Sequence, residues 1–224
     1  MASALKYTSF CADPDEAHRK MLALMPPGAR VLEVGAATGY LSEVIRDAGF
    51  TVMAVEVDSA AAAIARSRRI DVCVSRLEEL VVPETYGTFD CLLLGDVLEH
   101  VADADSFLSA GLRYLRRTGC VVLSVPNVAH WSLRWSLLNG RFEYTRTGLL
   151  DDTHVRFYTA ASLERILRAL GLTVTERHVS LGLNTYRRFR SPQLGWYQRR
   201  LVRVLSRCFP TLFGFQFIWK AEFA

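Results

Sequence analysis

Two carboxylates frame the part of this 224-residue chain whose residue types and spacing can do the most chemistry. Val31-Leu32-Glu33-Val34 is an apolar run carrying one acid, and it breaks into the small residues Gly35-Ala36-Ala37-Thr38-Gly39. Val52-Met53-Ala54-Val55 is a second apolar run that closes on Glu56, Val57 and Asp58. Small residues let a backbone pass close to a ligand. A carboxylate at a strand end can accept from two hydroxyls at once. The pair reads as strand, tight loop, helix and strand, half of a nucleotide-binding α/β sheet.

The elements that must position these residues follow from the patterning. Strands are expected over 30–34, 51–57, 71–75, 89–94 and 120–125. Helices alternate with them over 40–47, 60–68 and 103–117, the last capped by Asp103 and ended by Gly119. Cys91-Leu92-Leu93-Leu94 is apolar without alternation, as a strand covered on both faces requires. The periodicity then weakens over 126–158, where only a helix near 132–138 is suggested. A helix capped by Thr159 and ending at Gly171, a strand over 172–180, a helix over 192–208 and a strand over 213–223 complete the chain. The fold class is α/β, a Rossmann-like, mostly parallel sheet of seven strands with an antiparallel last strand and helices on both faces. One domain over 1–224 is expected. It carries an N-terminal cap helix within 1–29, a lid insertion over 126–158 and a basic amphipathic insertion over 182–211.

Bulk properties narrow the classes. Half the residues are hydrophobic and 22% are charged, a globular composition. No apolar run approaches the roughly 20 residues of a membrane span, and no leader pattern is visible, so the cytoplasm is the expected location. Five cysteines without a C-x-x-C pair argue against a disulfide frame or zinc site. Cys73, Cys91 and Cys120 fall in expected strands. The net charge of +4 is uneven, because nine Lys or Arg and no acid lie from Arg177 to Lys220. The body is therefore mildly acidic, and no nucleic-acid partner is expected. In the 192–208 helix, Leu194, Tyr197, Leu201, Leu205 and Cys208 share one side and Arg199, Arg200, Arg203 and Arg207 the other. The arginines are expected in solvent, with a subunit or peripheral membrane contact as further readings. The chain is expected to be a monomer or homodimer.

Two glycine patterns compete for the first loop. Dinucleotide sites use G-x-G-x-x-G, yet Ala37 and Tyr40 fill the second and third positions counted from Gly35. The spacing Glu33-x-Gly35-x-x-x-Gly39, with Glu56 ending the next strand, instead resembles motif I of class I S-adenosylmethionine-dependent methyltransferases. Leu92 to Val101 contains Leu98-Glu99-His100-Val101 in the place of that family's L-E-H-V segment. Pro126-Asn127-Val128, Asp152-x-His154-x-Arg156-Phe157-Tyr158-Thr159 and the closing Leu212 to Phe217 resemble its ubiquinone-type small-molecule subgroup. Such sequences are often associated with glycosyltransferases.

The resemblance implies S-adenosyl-L-methionine as cofactor, with Glu33, Gly35, Ala36, Gly39, Glu56, Val57, Leu77, Gly95 and Asp96 binding it. Glu33 is expected near the cationic methionine end, through water, and Glu56 on the ribose hydroxyls. Arg76 stands where the family often has an Asp for the adenine amino group. An Arg cannot accept that bond, so the Leu77 backbone or Glu78 is expected to serve. His154 is a candidate general base for an alcohol acceptor, with Asp152 orienting it. The competing role for His154 is to hold the lid closed. His100 either lines the active site or is a satisfied helix-start residue. No metal is expected, a set drawn from Asp151, Asp152 and His154 with Asp96 being the weaker alternative. Trp131, Trp135, Phe142, Tyr144 and Tyr158 can stack on an acceptor or pack in a core. The implied function is methyl transfer to a small-molecule acceptor, at a hydroxyl of a sugar, cell-envelope or secondary-metabolite precursor. An N- or C-methyltransferase and a non-catalytic cofactor-binding scaffold are the alternatives.

Overall fold

The computed structural model describes residues 13–182 and 196–224, the side chain of Trp196 excepted. A helix α1 (Ala17–Leu24) precedes alternating β1 (Arg30–Val34), α2 (Tyr40–Asp47), β2 (Thr51–Glu56), α3 (Ser59–Ser67), β3 (Asp71–Val74) and β4 (Phe89–Gly95). Then come α4 (Ala104–Leu112), β5 (Leu115–Pro126), α5 (Trp131–Leu138), α6 (Ala160–Ala169) and β6 (Leu172–Ser180). Helix α7 (Trp196–Cys208), a single turn over Pro210–Phe213 and β7 (Gln216–Phe223) close the chain.

The strands form one seven-stranded sheet in the order β3-β2-β1-β4-β5-β7-β6. β7 runs antiparallel to both neighbours, and the other pairings are parallel. Alternate residues of β1, β4 and β5 feed two cores. Leu32, Val34, Leu92, Leu94, Val121 and Leu123 pack with residues of α4 and α6 on one face. Val31, Cys91, Leu93, Cys120 and Val122 pack with α1 and α2 on the other. With both faces covered, the unbroken apolar run of β4 is explained. Because all connections leave the same sheet edge, Gly35 after β1 and Asp96 after β4 become neighbours, and a ligand belongs in that crevice.

Three expectations are corrected. Helix α4 stops at Leu112 rather than Arg117, and β5 begins at Leu115 rather than at residue 120. The side chain of Tyr114 is buried and its hydroxyl donates to Leu80 O at 2.7 Å. The carbonyls of Arg113 and Tyr114 accept from Gly87, Thr88 and Phe89, which pulls this segment out of the helix and onto β4. At the other end, the last strand starts at Gln216 rather than at residue 213, since Pro210–Phe213 makes a helical turn. Gly214 tightens that exit, where a Cβ would lie 2.5 Å from Pro210 O.

The third correction concerns α7. Arg203, Arg200 and Arg207 are exposed as expected, yet Arg203 also grips the buried Asp15 through Nε and Nη2, and Arg199 reaches Asp13 at 3.4 Å. Tyr197, Leu201 and Val204 are exposed too. The orientation follows from charge, since a buried Asp15 needs a cation more than the short apolar stripe needs a core. Residues 192–195 of that expected helix, Leu194 included, lie outside the described residues. No described helix is long and apolar enough to cross a membrane.

Candidate functional site

The loop after β1 is built around Glu56. Its two carboxylate oxygens accept the backbone amides of Ala37 at 2.7 Å and Asp58 at 2.8 Å, tying the first loop to the end of β2. Three residues of the loop take positive φ: Gly35 at 73°, Ala37 at 49° and Gly39 at 73°. A Cβ on Gly35 would lie 2.8 Å from Val97 Cγ2, and one on Gly39 would lie 2.8 Å from Ala65 Cβ. Gly39 thus serves close packing of α2 against α3, while Gly35 keeps open the approach toward the loop after β4.

A cavity of about 870 Å3 opens over these ends. Gly35, Glu56, Val57, Leu77 and Asp96 line it, as expected, and so does Asp152. Ala36, Gly39 and Gly95 stand behind the lining, as does Glu33. Glu33 is only 3% exposed and accepts from the hydroxyl of Ser42 on α2. Burial, reinforced by the Glu56 charge, raises its carboxyl to about 7 against the Ser42 bond that lowers it. Its visible task is to join β1 to the first turn of α2. Asp58, Ser75, Arg76 and Val97, none of them expected in the site, also form the wall. Arg76 lines the cavity beside Glu78, its guanidinium 3.9 Å from the Glu78 carboxylate.

The far wall comes from the connection after β5. Val155 and Arg156 donate backbone N–H bonds to Glu99 O at 2.8 and 3.0 Å, laying that connection over the segment after β4. His100 reaches the cavity, and its Nδ1 lies 3.1 Å from Thr153 O. His154 stands behind it with 8% exposure, the two rings 5.0 Å apart at a 69° angle. Its Nδ1 is 3.3 Å from Leu149 O. A carbonyl only accepts, so Nδ1 carries a hydrogen in both rings and Nε2 is the acceptor of a neutral ring. Burial, then the neighbouring His100, lowers the His154 pKa and favours the neutral ring.

Asp152 does not orient His154. It is exposed at the cavity rim, and the buried acid of this turn is Asp151, which accepts from Thr153 N and Oγ1. A turn closed by the His154 amide on Asp151 O at 3.0 Å starts here, and it buries one acid and exposes the next, which adjacency in sequence does not reveal.

Glu99, given no role by its sequence position alone, is a buried acid of the acceptor side. It is 1% exposed, both carboxylate oxygens lack a hydrogen-bond partner among the described residues, and burial pushes its pKa well up, with Asp96 adding to the rise. Glu99, His100 and His154 each offer one ligand atom, all within 4.8 Å of one another. This set differs from the Asp151, Asp152, His154 and Asp96 combination weighed from the sequence. Its signal was present in the L-E-H-V segment itself.

The profile of a methyltransferase-domain family matches residues 7–177. The chain belongs to the class I S-adenosylmethionine-dependent methyltransferases. A Mycolicibacterium smegmatis protein named a probable S-adenosylmethionine-dependent methyltransferase is 30% identical over 66% of this chain and 54% of its own length. The ubiquinone biosynthesis O-methyltransferase of Thiobacillus denitrificans is 31% identical over 66% of each chain, and the human mitochondrial enzyme of that name is 28% identical over 66% of this chain and 42% of its own. The matches thus span roughly two fifths to two thirds of these relatives. Among solved structures, the magnesium protoporphyrin IX methyltransferase of Synechocystis with bound S-adenosylhomocysteine superposes with a TM-score of 0.63 at 16% identity, covering 94% of this chain and 83% of that one. That likeness confirms the methyltransferase fold. The positive-φ loop, the Gly35 approach and the Glu56 carboxylate in the cavity wall fit an uncharged ribose, as in the family's cofactor, better than a phosphate.

Proposed function

We infer that this chain transfers the methyl group of S-adenosylmethionine to a hydroxyl of a small molecule, of the sugar, cell-envelope or secondary-metabolite precursor type. One observation carries the reading: a single cavity joins the Gly35 and Glu56 wall to a wall with His100, backed by His154. The names of the ubiquinone-type relatives, which are O-methyltransferases, support oxygen as the attacked atom.

When bound, the cofactor supplies an activated methyl group: attack by the acceptor oxygen breaks the carbon–sulfur bond, and the electron pair leaves on a neutral thioether. The chain's part is to align donor and acceptor in a cavity of small-molecule size and to take the acceptor proton. Glu56, Val57 and Leu77 serve as the donor wall, with Gly35 leaving space. The acceptor hydroxyl donates to an imidazole Nε2, with His100 at the cavity and His154 in the shell behind it. Thr153 O and Leu149 O fix the tautomer of each ring, so the proton has one place to go.

The orphaned oxygens of Glu99 favour a second reading of the same cluster, a divalent cation on Glu99, His100 and His154. Such an ion would lower the acceptor hydroxyl pKa directly. The decisive measurement is methyl transfer to a panel of hydroxylated acceptors, before and after treatment with a chelator. Hydroxyl methylation that survives the chelator, and that falls about 100-fold or more in His100→Ala or His154→Ala, supports the imidazole route. Loss on chelation with recovery on adding magnesium moves the role to the cation. Methylation of amines only would overturn the hydroxyl assignment.

A further inference from the structure

Asp96 is held in a way that the methyl-transfer reading does not use. It has positive φ, 53°, which costs a non-glycine residue energy and persists only where surroundings enforce it. Ser124 enforces it twice: the Asp96 amide donates to Ser124 O at 3.2 Å and to Ser124 Oγ at 3.0 Å. The Ser124 hydroxyl then donates back to Asp96 Oδ1 at 2.7 Å. From the last strand, Gln216 Nε2 donates to Oδ1 and Oδ2 at 2.8 and 2.9 Å. The Gln216 amide is itself oriented, because the buried Ser180 hydroxyl donates to its Oε1 at 3.0 Å. A relay Ser180–Gln216–Asp96–Ser124 therefore crosses the ends of β6, β7, β4 and β5, and both side chains hydrogen-bonded to the Asp96 carboxylate donate to it. That set matches a carboxylate, which only accepts.

Its place gives the charge a use. Asp96 lies in the cavity wall between Gly35, its neighbour across β1 and β4, and the His100–Asp152 side. A ligand whose nucleoside end meets Glu56 and whose reactive end meets the acceptor wall must pass it. Resting on the methyl-transfer reading, we propose that Asp96, clamped by Gln216 and Ser124, selects the positively charged methyl donor over its neutral thioether product. Gln216 is the positioning residue, acting from the far end of the chain. Donor and product differ by one unit of charge at sulfur and one methyl group, so shape alone discriminates little. A fixed anion discriminates by Coulomb attraction, and it lets product leave once that charge is gone.

The test is calorimetric titration of the full chain with S-adenosylmethionine and with S-adenosylhomocysteine, and the readout is the ratio of the two dissociation constants. Asp96→Asn keeps the shape and removes the charge, and it is expected to shift the ratio toward product by about tenfold. Gln216→Met keeps the length and removes the donor. It is expected to shift the ratio in the same direction by about threefold, at an unchanged melting temperature. A ratio unmoved in Asp96→Asn overturns the proposal. Equal losses of both affinities in Gln216→Met make that residue structural and overturn its positioning role. Failure of the wild-type chain to bind either ligand is a different result, since it overturns the methyl-transfer reading beneath.

Discussion

The donor wall and the acceptor wall of the cavity are built by opposite means. Between Arg30 and Glu56 nearly every side chain that matters is buried, and the loop is stitched by backbone amides onto one carboxylate. In the connection between β5 and α6, helix α5 buries none of its residues. Trp135 is 65% exposed and Leu138 81%, and Phe142 and Tyr144 touch each other at the surface. One side is a rigid strand-end device that accepts a constant ligand. The other is a connection laid over the segment after β4 by main-chain bonds from Val155 and Arg156 to Glu99, and its exposed aromatics stand outside the cavity lining. The difference suits a reaction in which the donor never changes while the acceptor is particular to each protein.

That comparison makes the donor side brittle and the acceptor side tolerant. The largest effect is expected from Glu56→Ala, which strands the Ala37 and Asp58 amides and removes the ribose acceptor. Affinity for S-adenosylhomocysteine should fall about 100-fold by calorimetry, and retained affinity would break the assignment of the donor wall. Gly39→Ala should cost about 2–3 kcal/mol in chemical denaturation, since it combines positive φ with a Cβ against Ala65. A loss below about 1 kcal/mol would show that α2 and α3 yield.

Glu33 adds a pH dependence. The folded chain holds its proton up to about 7, whereas the unfolded chain releases it near the ordinary value of 4.5. Between those values the folded state binds more protons, so this group's contribution to stability is full below 4.5 and is lost as the pH rises through 7. Glu33→Gln should flatten that part of the wild-type stability curve and raise melting temperature at pH 8. An unchanged curve would place the Glu33 carboxyl outside the buried donor side. The smallest effect belongs to the acceptor side: Trp135→Ser should change stability by less than about 0.5 kcal/mol. A larger loss would mean that α5 is packed against something.

The alternation of strands and helices up to β4 was legible because each element there obeys a local rule. Tyr40–Asp47 matches its expected bounds, and Asp58 and Asp103 cap their helices through their own side chains. The start of β5 was not legible, since what unwinds residues 113–115 is the β4 entry strand, more than 20 residues away in sequence. For α7, periodicity gave the two sides of the helix but not the ion pairs that tie Arg199 and Arg203 to the rest of the chain. Those depended on Asp13 and Asp15, about 190 residues earlier.

The sequence by itself determined the donor half: the strand-loop-strand unit, the small residues of the loop and the Glu56 carboxylate at the strand end. These are consequences of backbone sterics and short-range spacing, which are written locally. Only the tertiary structure decided that Asp152 stands at the rim while Asp151 is buried, and that His100 fronts the cavity with His154 and Glu99 behind. It alone decided that Gln216, near the end of the chain, holds Asp96. Each of those facts is a contact between segments distant in sequence, fixed by how strands order themselves in the sheet, and no local pattern encodes it.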